Sequence, residues 1–149
     1  MRSRSAAGFV RALAIGLGST LRRDDGVGAR AAEMLEAAGL PARALLQPLP
    51  ELALELAGLD RVVFLDADRN AAPGEVRLRE ISEGAEADLG HGFDVPAVLG
   101  LCRALVGRAP EAWLLSVGVA DLGLGETLSQ AVEAAMPGLV ARARALLAA

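Results

Sequence analysis

The 149-residue chain predicts an α/β fold: a three-layer sandwich with a twisted, mainly parallel five-stranded sheet between helices. Two observations carry this expectation. Short apolar runs alternate with longer segments of helical periodicity, the pattern of strands joined by crossover helices. Two of those runs, around Val62 and Leu114, are continuously apolar, as strands covered on both faces tend to be.

The elements follow in order. "RALAIGL" (11–17) reads as the first strand and leads into the glycine-rich turn "GLGSTLRRDDGVG" (16–28). "DDGVGARAAEMLEAAG" then places Val27, Ala31, Met34, Leu35 and Ala38 at helical spacing and stops at Gly39. "ARALLQ" (42–47) reads as a strand, and "PELALELAG" as a short helix with Pro50 at its start and Gly58 at its end. "RVVFLDA" (61–67) and "EVRLREI" (75–81) are the next strands. "VPAVLGLCRALVG" repeats the Pro–Gly device with Pro96 and Gly107, and "AWLLSVGV" (112–119) is the last strand. "LSQAVEAAMPGLVARARALL" closes the chain as a helix with Ser129 as N-cap and Val132, Ala135, Met136, Leu139, Val140 and Leu147 as its buried stripe. Pro137 is expected to kink or divide it. With no repeat, low-complexity tract or long linker, residues 1–149 form a single domain.

Composition excludes several function classes. A formal net charge of -4 with scattered arginines argues against nucleic acid or an anionic membrane as partner, since both select clustered Lys and Arg. No window reaches the roughly 18 apolar residues of a membrane span, and Arg11 interrupts the N-terminal run that would otherwise suggest a secretory signal. Cys102 is the single cysteine, so no internal disulfide or thiolate cluster forms, and a cytoplasmic location is expected.

The polar, glycine-dense turn sets the functional question. In open α/β sheets ligands gather at the carboxyl ends of the strands. Asp24 and Asp25 follow the first strand, and Asp66 and Asp68 lie at the end of "RVVFLDAD", so the two groups should share one edge. A dinucleotide site fits poorly: "GLGSTL" has Leu21 where the fingerprint needs its third glycine, and an acidic pair repels a pyrophosphate. A phosphate-binding P-loop is excluded because the motif holds no lysine. Helix capping explains one aspartate, for which Asp24 is the better candidate. It leaves Gly26 and Gly28 unexplained, because each weakens a first turn by roughly 1 kcal/mol relative to alanine. Close approach of another surface would account for them.

His91, the single histidine, stands between Gly90 and Gly92 in "DLGHGFDVP", a loop position free to present its imidazole. Asp25, Asp66 and His91 make a set of two carboxylates and one imidazole, suited to zinc, nickel, iron or manganese. The strand-end argument brings together only the two aspartates. Cys102 lies within an apolar helix and reads as a buried structural thiol.

The motif order resembles the hydrogenase maturation proteases across nearly the whole chain. "GLGSTLRRDDGVGARAAEML" carries most of the resemblance, followed by "RVVFLDAD", "PGEVRL", His91 ahead of "VPAVLGLCRALVG", and "GETLSQAVEAA". That family consists of endopeptidases that, after nickel insertion, trim the C-terminal extension of the large subunit of nickel–iron hydrogenase. The resemblance implies metal contact by Asp25, Asp66 and His91, nickel supplied by the precursor, and a large-subunit precursor as partner. A metal-mediated cleavage would need no nucleophilic side chain, in keeping with the absence of a G-x-S-x-G elbow. Another divalent metal in the resting site is compatible with the donor set. Two departures stand out: Ser19 replaces the usual asparagine of the first motif, and "QPLPEL" puts Gln47 where many members carry a carboxylate. Two alternatives stay open, a non-catalytic metal-sensing assembly factor and a nucleotide-binding α/β domain.

Overall fold

The computed structural model of the chain describes residues 10–83 and 94–149. Five strands, β1 (Ala12–Leu17), β2 (Ala42–Leu45), β3 (Arg61–Asp68), β4 (Val76–Ile81) and β5 (Glu111–Gly118), form one sheet. Four α-helices, α1 (Val27–Ala37), α2 (Leu52–Leu56), α3 (Val95–Val106) and α4 (Gln130–Ala148), accompany them, with a 3-10 turn over Arg23–Gly26 leading into α1. The order across the sheet is β2-β1-β3-β5-β4. All pairings are parallel except β4 with β5. The expected three-layer sandwich is the observed one.

Alternation along the strands makes two cores. Ala14, Val63, Leu65, Leu115 and Val117 face one way and pack with residues of α1 and α4. Ile15, Leu17, Val62 and Phe64 face the other and pack with α2 and α3. Val62 to Leu65 are all fully buried, as the unbroken apolar run requires of a strand covered on both sides. The edge strand β4 keeps Arg77, Arg79 and Glu80 in solvent, charges that discourage pairing with another chain.

Several local expectations change. α4 runs unbroken through Pro137. The proline sits on the exposed side along with Glu133, so water can reach the Glu133 carbonyl, to which Pro137 has no N–H to donate. Met34 and Ala38 are exposed; the buried face of α1 is instead Val27, Gly28, Ala31, Ala32 and Leu35. At α3 the Pro–Gly device holds, with Pro96 in the first turn and Gly107 ending the helix at φ 83; Asp94, which the sequence reading did not name, caps it by accepting from the Ala97 N–H at 3.0 Å.

The glycines of the first motif are explained by contact within the chain. A Cβ on Gly28 would lie 2.0 Å from the Leu65 carbonyl oxygen, and one on Gly16 2.1 Å from the Gly28 oxygen. α1 therefore lies with its first turn directly on the backbones of β1 and β3. The approaching surface is the chain's own sheet.

Candidate functional site

The crossover pattern puts a topological switch between β1 and β3: β1 runs through α1 to β2 on one side, and the chain returns through α2 to β3 on the other. The crevice at such a switch is where open α/β sheets bind ligands. Asp25 follows β1 and Asp66 lies near the end of β3, one on each side of it.

Each carboxylate is held by one backbone amide. Asp25 Oδ2 accepts from the Ser19 N–H at 2.9 Å, and the Asp25 N–H donates to the Arg22 carbonyl at 3.1 Å. Gly18 makes room for this: at φ 113, its hypothetical Cβ would fall 2.0 Å from the Asp25 carbonyl oxygen. Ser19 Oγ accepts the Leu21 N–H at 3.2 Å, so serine closes the turn with one hydrogen bond where an asparagine amide could make two. Asp66 Oδ1 accepts from the Ala67 N–H at 2.8 Å.

The electrostatics join the pair. Burial is the main reason that the Asp66 carboxyl is pushed up to about 7. The Ala67 N–H opposes the shift, and Asp25 and then Asp68 raise it by repulsion, with Arg69 offsetting part. Asp66 is thus a half-buried carboxyl that exchanges its proton near neutral pH and that feels the Asp25 carboxylate.

The Ser19 N–H, which a phosphate would need, already serves Asp25. The glycine turn is thus occupied by a carboxylate in the place where a nucleotide's anion would sit.

Asp24 has a different role from the expected helix cap. Fully buried, its Oδ2 accepts from the N–H groups of Ala120 and Asp121, each at 2.9 Å, and from the Ser129 hydroxyl at 2.7 Å. Its Oδ1 accepts from the Ser129 N–H at 2.7 Å. Burial works to raise its pKa, but these bonds prevail and hold it below the ordinary carboxylate range. Ser129 stands at the start of α4 without capping it through its side chain, because Asp24 takes its hydroxyl.

Arg23 fixes the same 119–129 segment from outside. Its N–H donates to the Gly125 carbonyl at 2.9 Å, its Nε to the Thr127 carbonyl at 3.1 Å, and its guanidinium pairs with Asp121 at 2.6 Å. These contacts hold Arg23 at φ 47, the one non-glycine positive φ among the described residues. The sequence reading missed this clasp. The available signal was the second glycine-rich turn, "ADLGLGETLS", lying between a strand end and a helix start.

His91 lies outside the described residues. Among the described residues no group of three metal-ligating side chains gathers; Asp25 and Asp66 are the two expected site residues that can be placed. Gln47, after β2, is exposed. An open groove of about 520 Å³ is lined by Arg30, Met34, Glu126, Leu128 and Met136 among others, and neither Asp25 nor Asp66 lines it. Cys102 is buried, donates its thiol to the Ala53 carbonyl at 3.1 Å, and is raised chiefly by burial, which leaves it unsuited to nucleophilic attack.

No family model matches the chain, and no curated protein does. Solved structures match closely. The NiFe hydrogenase maturation protease HybD from Thermococcus kodakarensis is 29% identical at a TM-score of 0.73, covering 92% of this chain and 99% of that one. HycI from the same organism, also a NiFe hydrogenase maturation protease, superposes at 0.74 with 23% identity over 95% of this chain and 94% of its own. The hydrogenase maturating endopeptidase HybD from E. coli gives 0.67 with 24% identity over 92% and 91%. Over nearly its whole length, the chain is a structural homologue of the hydrogenase maturation protease family.

Proposed function

We propose that the protein is an endopeptidase that removes the C-terminal extension of a nickel–iron hydrogenase large-subunit precursor after nickel insertion. The observation that carries this reading is the placement of Asp25 and Asp66 across the β1/β3 switch point, with Asp66 raised by burial and by Asp25. The 29% identity to a protein named as such a protease, over 92% of this chain, supports it.

In this reading nickel arrives as part of the substrate. Asp25 and Asp66 each keep one carboxylate oxygen free of hydrogen bonds to described residues, and His91 completes a set of two oxygens and one nitrogen suited to a divalent ion. As nickel approaches, Asp66 gives up its proton, so recognition and local charge neutralisation occur together. The ion can polarise the scissile carbonyl or acidify a water, while the chain's own residues orient the precursor. A different divalent ion could take the resting site, and the reaction would take place in the cytoplasm.

The test is incubation of the pure protein with nickel-loaded and nickel-free precursor, followed by a mass measurement that reads the precursor's C-terminal end. Loss of the extension from the loaded form alone is expected. Metal-dependent binding without cleavage would replace the protease by an assembly factor, and neither binding nor cleavage of several precursors would overturn both readings.

A further inference from the structure

Leu21 and Leu124 are exposed to 60% and 89%, yet they stand on backbone that is firmly anchored. The Gly125 N–H donates to the Leu21 carbonyl at 2.9 Å, and Arg22 and Gly125 form an isolated parallel bridge. In this register Leu21 lies beside Leu124. The same short stretch is held by Arg23 and Asp24 through Asp121, Gly125, Thr127 and Ser129. Two exposed leucines carried on neighbouring, hydrogen-bonded stretches of backbone offer an apolar contact to an occupant of this edge.

The pair borders the carboxylates. The Leu21 N–H is bound by Ser19 Oγ, the Ser19 N–H by Asp25, and the Asp25 N–H by the carbonyl of Arg22, the residue after Leu21. An occupant of this edge therefore meets the carboxylates of Asp25 and Asp66 and then the lip of two leucines, flanked by the exposed Arg22, whose guanidinium bonds the Leu122 carbonyl at 3.4 Å, and by the Arg23–Asp121 pair. Charge complementarity defines its chemistry: a peptide segment carrying a cationic centre with an apolar side chain close to it along the chain.

Resting on the endopeptidase reading above, we propose that Leu21 and Leu124 form a specificity subsite that takes an apolar side chain of the precursor next to its metal-bearing segment. The lip contributes binding that is equal in the ground and transition states, so it sets KM and leaves kcat unchanged.

The experiment compares cleavage of nickel-loaded large-subunit precursor by the wild-type protein, by Leu21→Ser/Leu124→Ser and by the conservative Leu21→Met/Leu124→Met, each first checked for an unchanged thermal midpoint. The serine pair is expected to raise KM about tenfold at constant kcat, the methionine pair to restore it, and serine substitution of an apolar residue next to the precursor's metal-bearing segment to give a loss that does not add to that of the enzyme variant. Wild-type cleavage with the same KM in the serine pair overturns the subsite alone. A fall in kcat without a change in KM also overturns it. Self-association that the serine pair abolishes, at unchanged KM, reassigns the lip to a second copy of this chain. Failure of the wild-type protein to bind or cleave the precursor overturns the endopeptidase reading, and the subsite with it.

Discussion

The carboxylate of Asp24 takes both the backbone N–H and the hydroxyl of Ser129, each at 2.7 Å, and so ties the turn after β1 to the start of α4, 105 residues away. With the amides of Ala120 and Asp121 also bound, one buried side chain fixes the segment that borders Asp25. Asp24→Ala orphans these donors and is expected to cost at least about 3 kcal/mol, read as a lowered midpoint in urea melts. Because the folded pKa of Asp24 lies below its unfolded value of 3.8, its contribution is present above that value. It is lost as pH falls through the folded pKa, and the variant's deficit should shrink in acid.

Asp66 has the opposite sign. Its folded pKa of about 7 exceeds the ordinary 3.8, so between those values the folded state binds the extra proton. Stability falls across that window as pH rises. Asp66→Asn should gain about 1–3 kcal/mol at pH 8 and almost nothing at pH 4, measured by paired urea melts, while losing metal-dependent cleavage at both.

Gly28 permits no side chain. With its hypothetical Cβ 2.0 Å from the Leu65 carbonyl, Gly28→Ala must lift α1 from the sheet, at an expected cost of about 3 kcal/mol or more. At Gly100, inside α3, a Cβ meets nothing within 4 Å, so Gly100→Ala should stabilise by about 0.5–1 kcal/mol. Thermal midpoints of the two variants should therefore move in opposite directions.

His91→Ala is expected to abolish precursor processing at an unchanged thermal midpoint. Retained processing would remove His91 from the mechanism. Thiol reagents should leave activity intact, since the Cys102 thiol is buried and bonded to the Ala53 carbonyl; inhibition that Cys102→Ser prevents would contradict this.

Most of the fold was legible because periodicity reports burial directly. Val62 to Leu65 announced a strand covered on both faces, and Gly39 and Gly107 marked real helix ends at φ 82 and 83. Met34 misled because an apolar residue at helical spacing fits the pattern whichever side of the stripe's margin it occupies; the narrow contact made by Gly28 and Ala32 turned that face toward the sheet and left Met34 in solvent. Strand-end reasoning also brought Asp25 and Asp66 to one edge of the sheet, where the two carboxylates feel each other. The task of Asp24 was illegible because its partners, Ala120, Asp121 and Ser129, are about 100 positions away and mostly contribute backbone N–H groups, which no residue type advertises.

The Gly28–Leu65 contact also governs how this edge can change over evolutionary time. Asp25 precedes the glycine by three positions and Asp66 follows the carbonyl by one, so main chain against main chain sets the spacing between the two acids. A side chain at position 28 would lengthen that ruler directly, because its Cβ would fall 2.0 Å from the Leu65 carbonyl oxygen. The distance between the two acids is thereby inherited from a backbone contact and not from the shape of any side chain.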